Sequence, residues 1–248
     1  MYQIEPRQLT PLLIVAEVDH DLPAGLLRFY RIDRLAAEAR RLTGLGLRAC
    51  KLYVKTPAGR KDEHATAGLA TDSLMVRAIQ EIKNAVPEMR VGTEVCACAY
   101  HAQGECVLVG ENGVDNTATH PLVAQMSVLH ADAGADTVVA GLTHDGSIRA
   151  MRTARDESGH KNVQIQGSVQ LRTGFYGPYR TMMGTEPEAG ETFRAHQPQT
   201  DRDAVMSVAR RHVEEGRCNG PHRSGPVRGP PAPAETAASH RHRSVQRH

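Results

Sequence analysis

Residues 72–98 read DSLMVRAIQEIKNAVPEMRVGTEVCAC, and two different periods meet within them. Over 72–86 apolar residues return at helical spacing, through Met75, Ile79, Ile82 and Val86, with Asp72 and Ser73 as N-cap candidates. Over 90–96 a short β-rich run replaces that period, and Cys96 and Cys98 stand at its end. A helix feeding a buried strand is half of a β-α-β unit.

The alternation extends in both directions. Strands are predicted at 12–18, 49–54, 90–96, 136–140 and 163–168, and helices at 31–45, 72–86, 121–133 and 201–215. One β-α unit per roughly 25–45 residues favours parallel strands joined by crossover helices. Five units suit either a (β/α) barrel or a doubly wound sheet, and periodicity does not separate the two. The 248 residues suffice for one large domain.

Formal net charge is +2, so no global basic signal points to nucleic acid, and the absence of Trp weakens base stacking further. No run approaches the roughly 18 apolar residues of a membrane span, and Leu12 to Val15 is too short for a signal-peptide core. A cytoplasmic protein with reduced cysteines is expected. From Arg217 onward the character changes: six Arg, one acid (Glu235) and no Leu, Ile, Met or aromatic residue. Such a segment buries too little apolar surface to offset chain entropy. The expected division is a folded part at 1–216 and a disordered basic tail at 217–248. A shifted reading frame or a natural tail would each produce the break. His240, His242 and His248 of the tail are read as solvated.

Cys96, Cys98 and Cys106 form C-x-C-x7-C. Residues i and i+2 of a strand share a face, and the loop can return Cys106 to them. Three thiolates and a water suit an open tetrahedral zinc site; three incidental buried thiols are the alternative. Cys50 reads as a core residue, and Cys218 as a free thiol of the tail. His120 and the His144-Asp145 pair sit at loop ends without a nucleophile pattern, and no phosphate-binding glycine loop is present.

Longer motifs carry a resemblance. RIDRLAAEARRLTGLGLRA (31–49), GRKDEHATAGLATDSLMVRAIQEIKNAVPEM (59–89), TEVCACAYHAQGEC (93–106), GVDNTATHPLVAQMSVLHADAGADTVV (113–139), HDGSIRAMR (144–152) and FYGPYR (175–180) occur in one order. Over roughly residues 9–216 the chain resembles the porphobilinogen synthase (5-aminolevulinate dehydratase) family. The resemblance implies a TIM-type (β/α) barrel, here truncated after its fifth β-α unit. It implies catalytic zinc on Cys96, Cys98 and Cys106, with Glu94 in place of a family Asp and Gln103 and Glu105 in place of histidines. It implies 5-aminolevulinate as the small-molecule partner in tetrapyrrole synthesis, and a homo-oligomer or association with a full-length homologue, since the family assembles through an N-terminal arm.

Where the family's chemistry is set, this chain departs. The family joins two substrates through Schiff bases to two lysines. The first position is Gln170, five residues before Phe175, and the second lies on a sixth strand with no counterpart here. An active-site carboxylate position is Leu142. Arg180 matches an arginine that binds the substrate carboxylate; a second such arginine is missing where Gly190 falls, and Arg194 replaces a Gln. Lys55, at a strand end, is the best alternative amine; Lys51 is expected in helix packing or solvent, and Lys61 in a polar loop. The expectation is a family member impaired in the family lyase reaction, with a non-catalytic zinc- or ligand-binding paralogue as the alternative. A barrel opened after five strands should leave its first and fifth strands as edges.

Overall fold

The computed structural model describes residues 4–17, 20–21, 28–141, 144–171, 176–186 and 201–216. Leu142, Gly190, Arg194 and the tail at 217–248 lie outside the described residues. The five expected strands are all present as β1 (Leu12–Val15), β4 (Ala49–Val54), β5 (Arg90–Val95), β8 (Thr137–Ala140) and β9 (Gln164–Gly167). They run parallel in the order β1-β4-β5-β8-β9.

The helices are α1 (Ile32–Gly44), α2 (Leu74–Ala85), α3 (Asn116–Asp132), α4 (Ser147–Glu157), α5 (Tyr176–Met183) and α6 (Arg202–Glu214). Ser73, not Asp72, caps α2, its hydroxyl accepting from the Val76 amide. α3 starts five residues before the expected Pro121, because Asp115 caps it by accepting from the Ala118 amide. Pro121 lies inside the helix and removes the backbone bond to the Thr117 carbonyl. The buried face of α4 is Ser147, Ile148, Met151 and an arginine, Arg155, so only two apolar side chains mark its helical period.

The parallel order, with α1 to α4 packed on one face, is that of a TIM-type barrel that stays open among the described residues. Cys50, Leu52, Val91, Val95, Val138 and Ile165 point to the helices and share one core with Leu35, Ile79, Met126 and Met151. Cys50 thus takes its expected core place, and burial pushes its thiol pKa up to about 12. On the inner face Ile14, Ala16 and Phe29 pack with Met183, Met182 and Tyr179 of α5.

The first strand is not an edge. β3 (Arg28–Tyr30) lies parallel against it, pairing Ile14 with Phe29 and Val15 with Tyr30. β2 (His20–Asp21) adds antiparallel to β3. Two strands this short show no alternation in sequence, which is why they escaped the pattern reading. The fifth barrel strand, β9, pairs with β8 alone among the described residues. A two-stranded ribbon, β6 (Val109–Gly110) and β7 (Gly113–Val114), stands apart. Among the described residues no helix is long and apolar enough to cross a membrane.

One core contact makes a testable pH dependence. His130 of α3 is fully buried, with its Nδ1 3.0 Å from the Thr93 hydroxyl. Burial lowers its pKa from 6.5 to about 4. Between those values the unfolded chain takes up a proton that the folded chain refuses. Stability is therefore complete above pH 6.5 and falls as the pH drops toward 4, by about 1.4 kcal/mol per pH unit and about 3 kcal/mol in all. Urea unfolding at pH 7 and pH 5 should show this loss in wild type. It should be reduced in His130→Gln, and equal slopes in both proteins would contradict the assignment.

Candidate metal and ligand site at the strand ends

β5 ends at Val95, and a 3-10 turn at Ala97–Ala99 follows with Cys96 at its N-cap. Cys98 therefore sits in the turn rather than on the strand. The turn, not the pleat, brings the two sulfurs together. The loop after it closes through Gly104 and returns Cys106. The three Sγ atoms lie within 4.8 Å of one another. Sulfurs of a tetrahedral zinc site stand roughly 3.8 Å apart, so the trio matches the size of such a site. The thiol of Cys96 also approaches the Cys106 carbonyl at 3.9 Å. Contact with Cys106 pushes the thiols of both Cys96 and Cys98 well up, and burial adds to this. A bound cation reverses that penalty by stabilising thiolates.

The cysteines form one wall of a cavity of about 140 Å³ at the C-terminal ends of β4, β5, β8 and β9, the end where barrel sites are built. Tyr53, Glu94, Ser168 and Gln170 form other parts of the wall. Burial raises the Glu94 carboxyl to about 8 against the opposing pull of Lys51. Gly141 has to be a glycine here: a Cβ on it would stand 2.9 Å from both the Cys96 Cβ and the Glu94 Oε1.

The Gln170 amide donates from Nε2 to the Gly141 carbonyl at 2.9 Å, fixing it on the cavity wall. Arg180 of α5 also borders the cavity. It is 2% exposed, and Nη1 donates to the carbonyls of Gly104 and Thr185. Gln103 donates its backbone amide to His101 Nδ1, and Glu105 is buried.

The lysines take other places. Lys55 donates to the Met182 carbonyl at 2.7 Å, with its ammonium 4.9 Å above the Phe29 ring. Lys61 donates to the Gly184 carbonyl at 2.6 Å. Both hold the C-terminal end of α5, and neither is among the described residues lining the cavity. Lys51 lies neither in helix packing nor free in solvent. Strand alternation turns it to the inner face, 5.1 Å from the Tyr53 ring centroid, and burial lowers its pKa against an upward pull from Glu94. The sequence reading missed this placement, although its own alternation of Cys50, Leu52 and Val54 implies it. His120 and Asp145 join α3 to the start of α4, the ring Nε2 lying 3.0 Å from the Asp145 carbonyl, while Arg211 of α6 pairs with the Asp145 carboxylate. That cluster anchors helices.

The fold and the cavity together define a β/α-barrel protein with a trithiol site at its C-terminal mouth. The sequence model of the delta-aminolevulinic acid dehydratase family matches residues 9–217, and the chain belongs to that family. Delta-aminolevulinic acid dehydratase of Escherichia coli (strain K12) is 30% identical over 200 residues, covering 79% of this chain and 61% of that protein. The Bacillus subtilis (strain 168) protein is 31% identical over 186 residues, covering 75% and 57%. The chain thus spans only about 60% of the length of these relatives. The Toxoplasma gondii ME49 enzyme, crystallised with its reaction product porphobilinogen, superposes with a TM-score of 0.80 at 24% identity. That match covers 86% of this chain and 63% of that one, and it supports the fold.

Proposed function

We propose that this chain is a zinc- and keto-acid-binding member of its family that does not itself catalyse the condensation of 5-aminolevulinate to porphobilinogen. The observation that carries this reading is Gln170, an amide that lines the cavity with the cysteines and is hydrogen-bonded to the Gly141 carbonyl. By the family resemblance an amine belongs there. An amide nitrogen is not nucleophilic and forms no imine. Leu142, at a position where the family places a carboxylate, removes a second polar group by the same resemblance.

Cys96, Cys98 and Cys106 would hold the metal, and their number, softness and spacing fit zinc. A zinc ion held by these three thiolates would supply Lewis acidity toward a ligand oxygen. Around it, Tyr53, Ser168 and Gln170 offer hydrogen bonds to a small polar ligand, and the cavity volume limits that ligand to a few heavy atoms beside the metal. The folded part at 1–216 carries this function, and 217–248 is an accessory tail. The four described cysteines form no disulfide, as suits a reducing, cytoplasmic setting. A self-association or pairing with a full-length homologue belongs to the same reading, by family resemblance.

Metal analysis tests it. Purified wild type should carry about one zinc per chain, and a Cys96→Ser/Cys98→Ser/Cys106→Ser variant almost none. Equal zinc in the two would remove the metal from the proposal.

A further inference from the structure

Arginine recognises a carboxylate by offering a fork of two terminal nitrogens. In this chain both are engaged by protein: Nη1 donates to the Gly104 carbonyl at 2.6 Å and the Thr185 carbonyl at 2.8 Å, and Nη2 lies 3.6 Å from the Cys106 sulfur. The side chain is 2% exposed. Gly104 belongs to the loop that returns Cys106, and Thr185 follows the C-terminal end of α5. The guanidinium therefore ties the cysteine loop to α5 and sets its charge against the sulfur cluster.

We propose that Arg180 is the counter-cation and clamp of the trithiolate metal site, a positioning residue that sets metal affinity rather than an anchor for a substrate carboxylate. The proposal rests on the metal reading of Cys96, Cys98 and Cys106. Three thiolates around a divalent ion leave one net negative charge in a wall whose residues are largely buried. An uncompensated charge there is costly, and a fixed adjacent cation offsets it. The same contact orients the loop. A Cβ on Gly104 would stand 2.5 Å from the Thr185 carbonyl oxygen, so loop and turn touch backbone to backbone beneath the guanidinium. Lys55 and Lys61 fasten the same end of α5 through the Met182 and Gly184 carbonyls. Lys61 also feels the charge of Cys98, whereas Lys55 lies over the Phe29 ring, so Lys55 is the residue that separates a role in charge from a role in helix docking.

The experiment measures zinc affinity by competition with a chromophoric chelator, on the full chain. The proteins are wild type, Arg180→Met, Arg180→Lys, Lys55→Met and the triple cysteine variant, each checked for folding by circular dichroism. Arg180→Met should weaken zinc about 10–100-fold, the size of loss seen when groups behind metal ligands are removed. Arg180→Lys, which keeps the charge and loses the fork, should weaken it by less, about 3–10-fold, and it decides the matter if Arg180→Met does not fold. Lys55→Met, which loosens α5 and spares the charge, should stay within about threefold of wild type. Cysteine-dependent zinc binding unaffected by either Arg180 variant would overturn the clamp and leave the metal reading standing. An equal loss in Lys55→Met and Arg180→Met would reduce Arg180 to helix docking and likewise overturn it. Wild type without cysteine-dependent zinc would overturn both.

Discussion

After incubation with 5-aminolevulinate and sodium borohydride, the chain is expected to show no reduced adduct by mass spectrometry, and no porphobilinogen should accumulate even with added zinc. An imine to the substrate ketone needs a primary amine that is partly neutral and within reach of the bound ketone. Gln170 has its nitrogen lone pair delocalised and its N–H committed to the Gly141 carbonyl. Lys55 and Lys61 donate to carbonyls at the end of α5. Lys51 is the remaining amine on the inner face and is not among the described residues lining the cavity. General acid–base assistance alone is worth about 10²–10⁴ in rate, and losing covalent catalysis removes a further factor, so turnover should fall below detection. Gln170→Lys provides the sharper arm. An amine introduced on the cavity wall should trap a single substrate equivalent by borohydride without producing porphobilinogen. An adduct on Lys51 or Lys55 of the wild type, or product formation lost in Lys55→Ala, would show that another amine has taken over and would sink the non-catalytic reading.

Gly104→Ala is expected to be the most damaging single methyl in the site. Gly104 has φ +67°, where a Cβ is strained, and that Cβ would meet the Thr185 backbone at 2.5–2.8 Å. Backbone atoms cannot rotate away as a side-chain tip can, so the loop must separate from α5. Strain and overlap together should cost about 2–5 kcal/mol and lower zinc occupancy at the same time. Gly113→Ala is the matched control. Its φ of +106° is also unfavourable to a side chain, but nothing stands within 4 Å of its Cβ. That substitution should cost about 1–2 kcal/mol and leave zinc unchanged. Urea unfolding with metal analysis reads both quantities. Equal losses in the two variants would mean that the contact between loop and turn contributes nothing.

The sequence by itself determined the parallel β/α order and the membership of the cysteine cluster. β1 and β4 carry apolar runs and β5 and β9 isolated apolar residues between turn signals, enough to register as strands, and the family resemblance selected the barrel over a doubly wound sheet. α1, α2 and α6 carry stripes wide enough to read. Cys96, Cys98 and Cys106 were legible because few residue types serve as soft metal ligands and a short loop keeps them near one another.

The tertiary structure alone decided what depends on distant backbone. β3 covers β1 although its three residues are too few to show a period, so an expected edge is paired. Periodicity did not mark α4, because Ser147 and a buried arginine, Arg155, occupy part of its inward face. Lys51 faces the inner side of the sheet beside Tyr53, and Lys55 ends on a carbonyl 127 residues away in sequence. Arg180 could be named from its motif, but its partners could not: Gly104 lies 76 residues earlier, and a main-chain carbonyl leaves no mark on residue identity. Periodicity reports which face of an element is buried. Which remote carbonyl or sulfur meets a buried side chain follows only from how the elements pack, as the Gly104 and Thr185 carbonyls on Arg180 illustrate.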